Sequence, residues 1–147
     1  MKLLQFLALV LTALALVPAG AHLLELPNKI DLSESDYFAV QGLYRGWAMM
    51  GIVLIGTALA NLVHAVFLRG QGLSFKCALI AFLCIAVTPV IFFAFIFPAN
   101  QASHDWTQVP ANWQQLRFEW EIAHAVNAVL TFAGFCALTI SVLLTRD

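Results

Sequence analysis

Two short patterns carry most of the chemical potential of this chain. His22 and Glu25 form H-x-x-E, and Glu121 and His124 form E-x-x-H, in a sequence where only 10% of residues are charged. On a helix, residues three apart share a face, so each pattern presents one imidazole and one carboxylate together. If both pairs project into one bundle, three kinds of chemistry are open. His22, Glu25, Glu121 and His124 form a ligand set for a transition metal, similar to the E-x-x-H sites of soluble di-metal carboxylate bundles. Those bundles add further carboxylates, which the remaining apolar segments here do not supply. Without a metal, Glu25 or Glu121 can act as a general base, tuned by an adjacent histidine, while Arg45 or Arg117 stabilises a developing oxyanion. The third possibility is structural: carboxylates and imidazoles satisfy one another, and Arg117 pairs with Glu121 four residues along.

These residues must be positioned by apolar helices, since 62% of the 147 residues are hydrophobic. Runs of roughly twenty apolar residues read as membrane spans. They fall at about 3–26, 43–68, 77–97 and 118–144, so the expected fold is all-α, a single-domain integral membrane four-helix bundle. The lipid bilayer is then the obligatory partner. With a net charge of -1 and no basic run, nucleic acid is excluded as a partner. Nothing in the sequence sets an oligomeric state. Lys2, Arg69, Lys76 and Arg146 against Lys29, Arg45 and Arg117 favour cytoplasmic termini in a multi-pass protein of the cell membrane. The two long loops, 27–41 and 98–116, then share the outer face with both His/Glu pairs. Lys2, the run from Leu3 to Val17, Pro18 and Ala19-Gly20-Ala21 also resemble a secretory signal cleaved before His22. The apolar run continues through Leu26, which favours a retained first span.

Other features have plainer readings. Ser33-Glu34-Ser35-Asp36 suits the N-cap of a short helix leading through Tyr37, Phe38 and Val40 into the second span. Trp47, Trp106, Trp113 and Trp120 fit an interfacial aromatic belt. Thr57, Asn61 and His64 lie towards the other end of the bundle, where His64 is expected to bond a neighbouring helix. Pro89 interrupts the third span, and Thr88 is placed to satisfy the carbonyl that Pro89 leaves free. Gly51, Gly56, Ala60 and Gly134 suggest close helix packing. Cys77, Cys84 and Cys136 lie in spans without a C-x-x-C and read as small core residues.

Several segments also resemble one family throughout nearly the whole chain. They are Ala21 to Ile30, Tyr44-Arg45-Gly46-Trp47, Pro98-x-Asn100, Trp106-Thr107 with Pro110, and Trp113-x-x-Leu116-Arg117-x-x-Trp120-Glu121-x-x-His124-Ala125. This pattern is similar to that of the small four-helix membrane family that includes the anthrone oxygenases, nearest to its members of unknown function. The resemblance implies an oxidoreductase acting on an apolar or aromatic small molecule, and a reaction run without a cofactor. The alternative is a non-enzymatic accessory or ligand-binding membrane protein whose polar cluster is structural.

Overall fold

The computed structural model describes residues 1–145, so Arg146, counted above among the cytoplasmic charges, lies outside the described residues. Among these residues there are helices and turns but no strand. The elements are α1 (Lys2–Lys29), α2 (Glu34–Gln41), α3 (Met50–Phe67), α4 (Leu73–Ile91), α5 (Phe97–Ala102) and α6 (Trp113–Leu144). A π-helical turn, Phe92–Ile96, joins α4 to α5. Four segments are long and apolar enough to cross a membrane: Lys2–Lys29, Trp47–Phe67, Leu73–Ala102 and Trp113–Leu144. In sequence order each packs on the next, and α6 closes back on α1, giving an up-and-down four-helix bundle.

The bundle is more apolar outside than inside. Leu3, Val17, Leu24, Ile52 and Leu143 present their side chains outward, as a lipid-facing surface should. The buried set contains nearly as many polar residues as apolar ones, and alanine is the commonest of the latter. Small residues let backbones approach. A β-carbon on Gly134 would sit 3.2 Å from Cys84 Cβ and 3.3 Å from the Ala81 carbonyl, so α4 and α6 touch there. Gly51, by contrast, faces open space and does no such packing. Between helices, Thr57 Oγ1 donates to the Leu11 carbonyl (3.0 Å), Asn61 Nδ2 donates to Thr12 Oγ1 (3.0 Å), and His64 Nε2 bonds Ser141 Oγ (3.2 Å). His64 thus does bond a neighbouring helix.

The first, third and fourth spans extend further than hydropathy suggests, while the second is shorter and begins at Trp47, and these ends position the site. Pro27 does not end α1. A proline removes only its own N–H, and the ladder resumes beyond it with Ile30 N donating to the Leu26 carbonyl at 3.0 Å. Lys29 is therefore the last turn of α1 rather than part of a loop. In α4, Thr88 Oγ1 donates to the Ile85 carbonyl (2.9 Å), the acceptor that Pro89 leaves free. Ser33 caps α2, accepting from Asp36 N at 3.3 Å. However, α2 does not run on into α3. Two single 3-10 turns, Gly42–Tyr44 and Trp47–Met49, flank a bend at Gly46, whose φ of 89° suits glycine.

Both long connections lie at the bundle end away from the termini, where Tyr37, Trp106, Leu116 and Trp120 form one apolar cluster. After α5, His104, Asp105 and Trp106 take left-handed φ values of 49°, 54° and 62°. Such conformations cost about 1–2 kcal/mol per residue. The turn is held by Asp105 N on the Asn100 carbonyl (2.7 Å), by Trp106 N on Ser103 Oγ (3.1 Å) and by burial of the Trp106 ring.

Candidate functional site

His22, Glu25 and Lys29 occupy one face of the last two turns of α1, at the spacing that aligns helical side chains. Glu121 reaches them from α6 and is wholly buried. Lys29 Nζ lies 2.8 Å from Glu121 Oε1 and 4.0 Å from Glu25 Oε2, and its side chain is only 4% exposed. Taking two charges out of water costs several kcal/mol each, so the pair persists through close geometry and extra hydrogen bonds. Those bonds come from α2 and the turn after it. Tyr37 Oη donates to Glu121 Oε1 (3.0 Å) and accepts from Gln41 Nε2 (2.5 Å). Tyr44 Oη accepts from Lys29 Nζ (2.9 Å) and donates to Glu25 Oε2.

Aromatic rings wall the ammonium. Lys29 Nζ lies 4.5 Å from the Tyr44 ring centre and 4.8 Å from that of Trp120, distances at which a cation is attracted to the ring face. Asn100 Oδ1 accepts from both Trp120 Nε1 (2.9 Å) and Trp106 Nε1 (3.0 Å), tying the left-handed turn to α6. Deeper in the bundle the His22 and His124 rings stack with centres 4.0 Å apart, and Trp120 lies against both. Four buried polar atoms here have no hydrogen-bond partner: Glu121 Oε2, His22 Nδ1, His124 Nε2 and Gln41 Oε1.

Burial, and after it the negative charge of Glu121, pushes Tyr37 well above the ordinary tyrosine range. Burial and the hydrogen bond to Glu25 push Tyr44 in the same direction. Both phenols therefore stay protonated as donors, and the two carboxylates are the acceptors of the cluster.

The structure brings together His22, Glu25, Glu121 and His124 as their spacing suggested, but with different partners. Among the described residues no group of three or more His, Cys, Asp or Glu side chains is placed to hold a metal ion. The two imidazoles face each other, and Glu121 already receives an ammonium and a phenol. Arg117 does not pair with Glu121. Its Nη1 donates to the Leu32 carbonyl (2.8 Å) and its guanidinium lies over Trp113 (4.7 Å) and Tyr37 (5.4 Å). Arg45 is exposed at the bend before Gly46 and does not reach the carboxylates. Trp106 and Trp120 are buried in the cluster rather than lying in an interfacial belt.

Sequence reasoning missed Lys29, Tyr37, Gln41 and Tyr44. Lys29 is four residues beyond Glu25, and Tyr37 is four before Gln41, so helical spacing held the signal once Pro27 is allowed inside α1. Comparison of the chain with protein-family models, with curated proteins and with solved structures gives no match. Fold and site together define a helical protein with four candidate membrane spans and a buried Lys–Glu pair under aromatic rings.

Proposed function

We propose that this membrane protein is an oxidoreductase of anthrone-oxygenase type, with Glu121 as general base on an apolar aromatic molecule admitted from the bilayer. One observation carries the reading. Glu121 is wholly buried, its Oε1 is held by Lys29 and Tyr37, and its Oε2 has no partner. A carboxylate oriented through one oxygen offers the other to a proton. The substrate is a carbon acid, a methylene flanked by aromatic rings and conjugated to a carbonyl. Glu121 Oε2 removes a methylene proton, and Lys29 faces the enolate oxygen that develops. Dioxygen then oxidises the anion: one oxygen atom stays as the new carbonyl and the other leaves as water. The family resemblance supports this chemistry, and the termini then face the cytoplasm with Lys2, Arg69 and Lys76.

A structural reading has its own observation, since Lys29 already neutralises Glu121 and the tyrosines complete the network. Glu121→Gln separates the two, because it keeps shape while removing basicity. Oxygen uptake with anthrone as the probe substrate should fall by about 10²–10⁴-fold, the usual contribution of a positioned base, in a protein that still purifies folded. Uptake equal to that of the parent would remove Glu121 from the chemistry and leave the structural reading.

A further inference from the structure

The buried polar atoms that lack partners are not scattered. Among the described residues they are Gln41 Oε1, Glu121 Oε2, His22 Nδ1, His124 Nε2, Asn127 Oδ1, Asn61 Oδ1 and His64 Nδ1. Only the first four belong to the site already described. Along α6, His124, Asn127, Thr131 and Ser141 lie about 5, 9, 15 and 30 Å beyond Glu121 at 1.5 Å per residue. His22 stacks on His124, so Thr12, further back along the antiparallel α1, lies about 20 Å from the level of Glu121. Thr12 accepts from Asn61, and His64 lies about 5 Å deeper on α3. Thr131, Thr12, Asn61, His64 and Ser141 are all buried. Measured along the helix axes, polar groups thus recur at levels about 5 Å apart down the inside of the bundle, close to the rise of one helical turn.

The far end opens to the surface. Ser141 Oγ donates to the Ser74 carbonyl (2.8 Å), and Ser74 lines a concavity with Gln71, Leu73 and Leu144. With its proton committed to Ser74, Ser141 Oγ must accept from His64, so His64 carries its proton on Nε2. Its Nδ1 is therefore a bare acceptor, fully buried and unpartnered. Threonines and asparagines that only glue helices together satisfy one another, and a buried polar atom left unsatisfied costs about 1–3 kcal/mol. Thr12 and Thr131 donate to the Ala8 and Asn127 carbonyls, and water is the molecule small and polar enough to satisfy the atoms that remain, Asn127 Oδ1, Asn61 Oδ1 and His64 Nδ1.

We infer that the bundle interior is a hydrated proton pathway, running from the concavity beside Ser74 through His64 and the Thr12–Asn61 pair to the cluster around Glu121, and out through Glu25, whose side chain is 42% exposed. It deepens the reading of that cluster as a proton-transfer site, connecting it to the opposite end of the bundle. The test uses the full chain in vesicles that enclose a pH-sensitive dye, with a potassium diffusion potential set by valinomycin. Proton flux should exceed that of protein-free vesicles. It should fall by at least about tenfold in His64→Phe and in the pair Thr12→Val with Asn61→Leu. The paired change replaces both partners of one bond with apolar groups of similar shape, which is nearly neutral for stability, so it decides the matter if His64→Phe does not fold. Flux no greater than in protein-free vesicles, or parental flux in a folded variant of either kind, overturns the pathway. A chain that conducts protons but takes up no oxygen with anthrone sinks the catalytic reading alone; one that turns over without flux sinks the pathway alone.

Discussion

The two ends of this bundle solve the problem of buried polarity in opposite ways. At the loop-rich end, Lys29 and Glu121 are charged groups held under aromatic rings by tyrosine hydroxyls. At the end that carries the termini, His64, Ser141 and Ser74 are joined by neutral hydrogen bonds. Neutral bonds suffice to hold membrane helices in register, each contributing about 0.6 kcal/mol on average. A buried ion pair is a costlier way to hold helices together, since desolvation offsets much of its attraction. The contrast teaches that the two ends differ in cost, the charged end carrying a desolvation penalty that the neutral end avoids.

Breaking each end should therefore differ in size. Lys29→Met removes the only cation on Glu121 among the described ion pairs, and leaving one charge of a buried pair uncompensated costs about 3–5 kcal/mol. Denaturation in detergent should show that loss, and Lys29→Met combined with Glu121→Gln should recover most of it. If the double change costs as much as the sum of the singles, the two side chains are not coupled. Ser141→Ala at the neutral end should cost less, about 1–3 kcal/mol for the unpaired His64 N–H, in the same assay. A larger loss there than at Lys29 would invert the comparison.

The smallest effect concerns pH. The chain has two tyrosines, Tyr37 and Tyr44, and both lie in the charged cluster. Their folded pKa values are raised, so the protonated phenols favour the folded state at and below the ordinary tyrosine value near 10. That contribution is lost progressively as pH rises above about 10, where the unfolded chain gives up its phenolic protons first. Ultraviolet titration of the folded protein should show phenolate appearing only at higher pH than in the unfolded chain. Coincident curves would mean the tyrosines are not enclosed.

What the sequence revealed and what it hid follow from one physical distinction. Length and hydropathy are local properties, and they located the four spans. The Ser33 cap and the Thr88 bond to the Ile85 carbonyl were equally legible, because each joins residues within a turn. Helix ends were less so. Treating Pro27 as a stop removed Lys29 from the helix face it shares with His22 and Glu25, and the cation was sought in Arg45 and Arg117 instead. Tyr37 and Tyr44 were hidden for another reason. Their roles arise from long-range packing of α2 and the bend at Gly46 against α1 and α6, which no periodicity encodes.

The π-helical turn at Phe92–Ile96 has a consequence for angular phase. Phe97 N bonds the Phe92 carbonyl, so this turn contains one residue more than an α-helical turn. Each residue of a regular helix advances the bearing by about 100°, and one added residue swings everything after it through that angle. Asn100 lies beyond the turn, and its carboxamide oxygen receives both indole N–H groups. The bearing of that acceptor is therefore set several residues upstream, in a turn whose Phe92 and Ile96 pack in the cluster of Tyr37 and Trp120. Deleting any one residue of 92–96 would leave every side chain of α5 chemically intact and aim Asn100 at a different compass point.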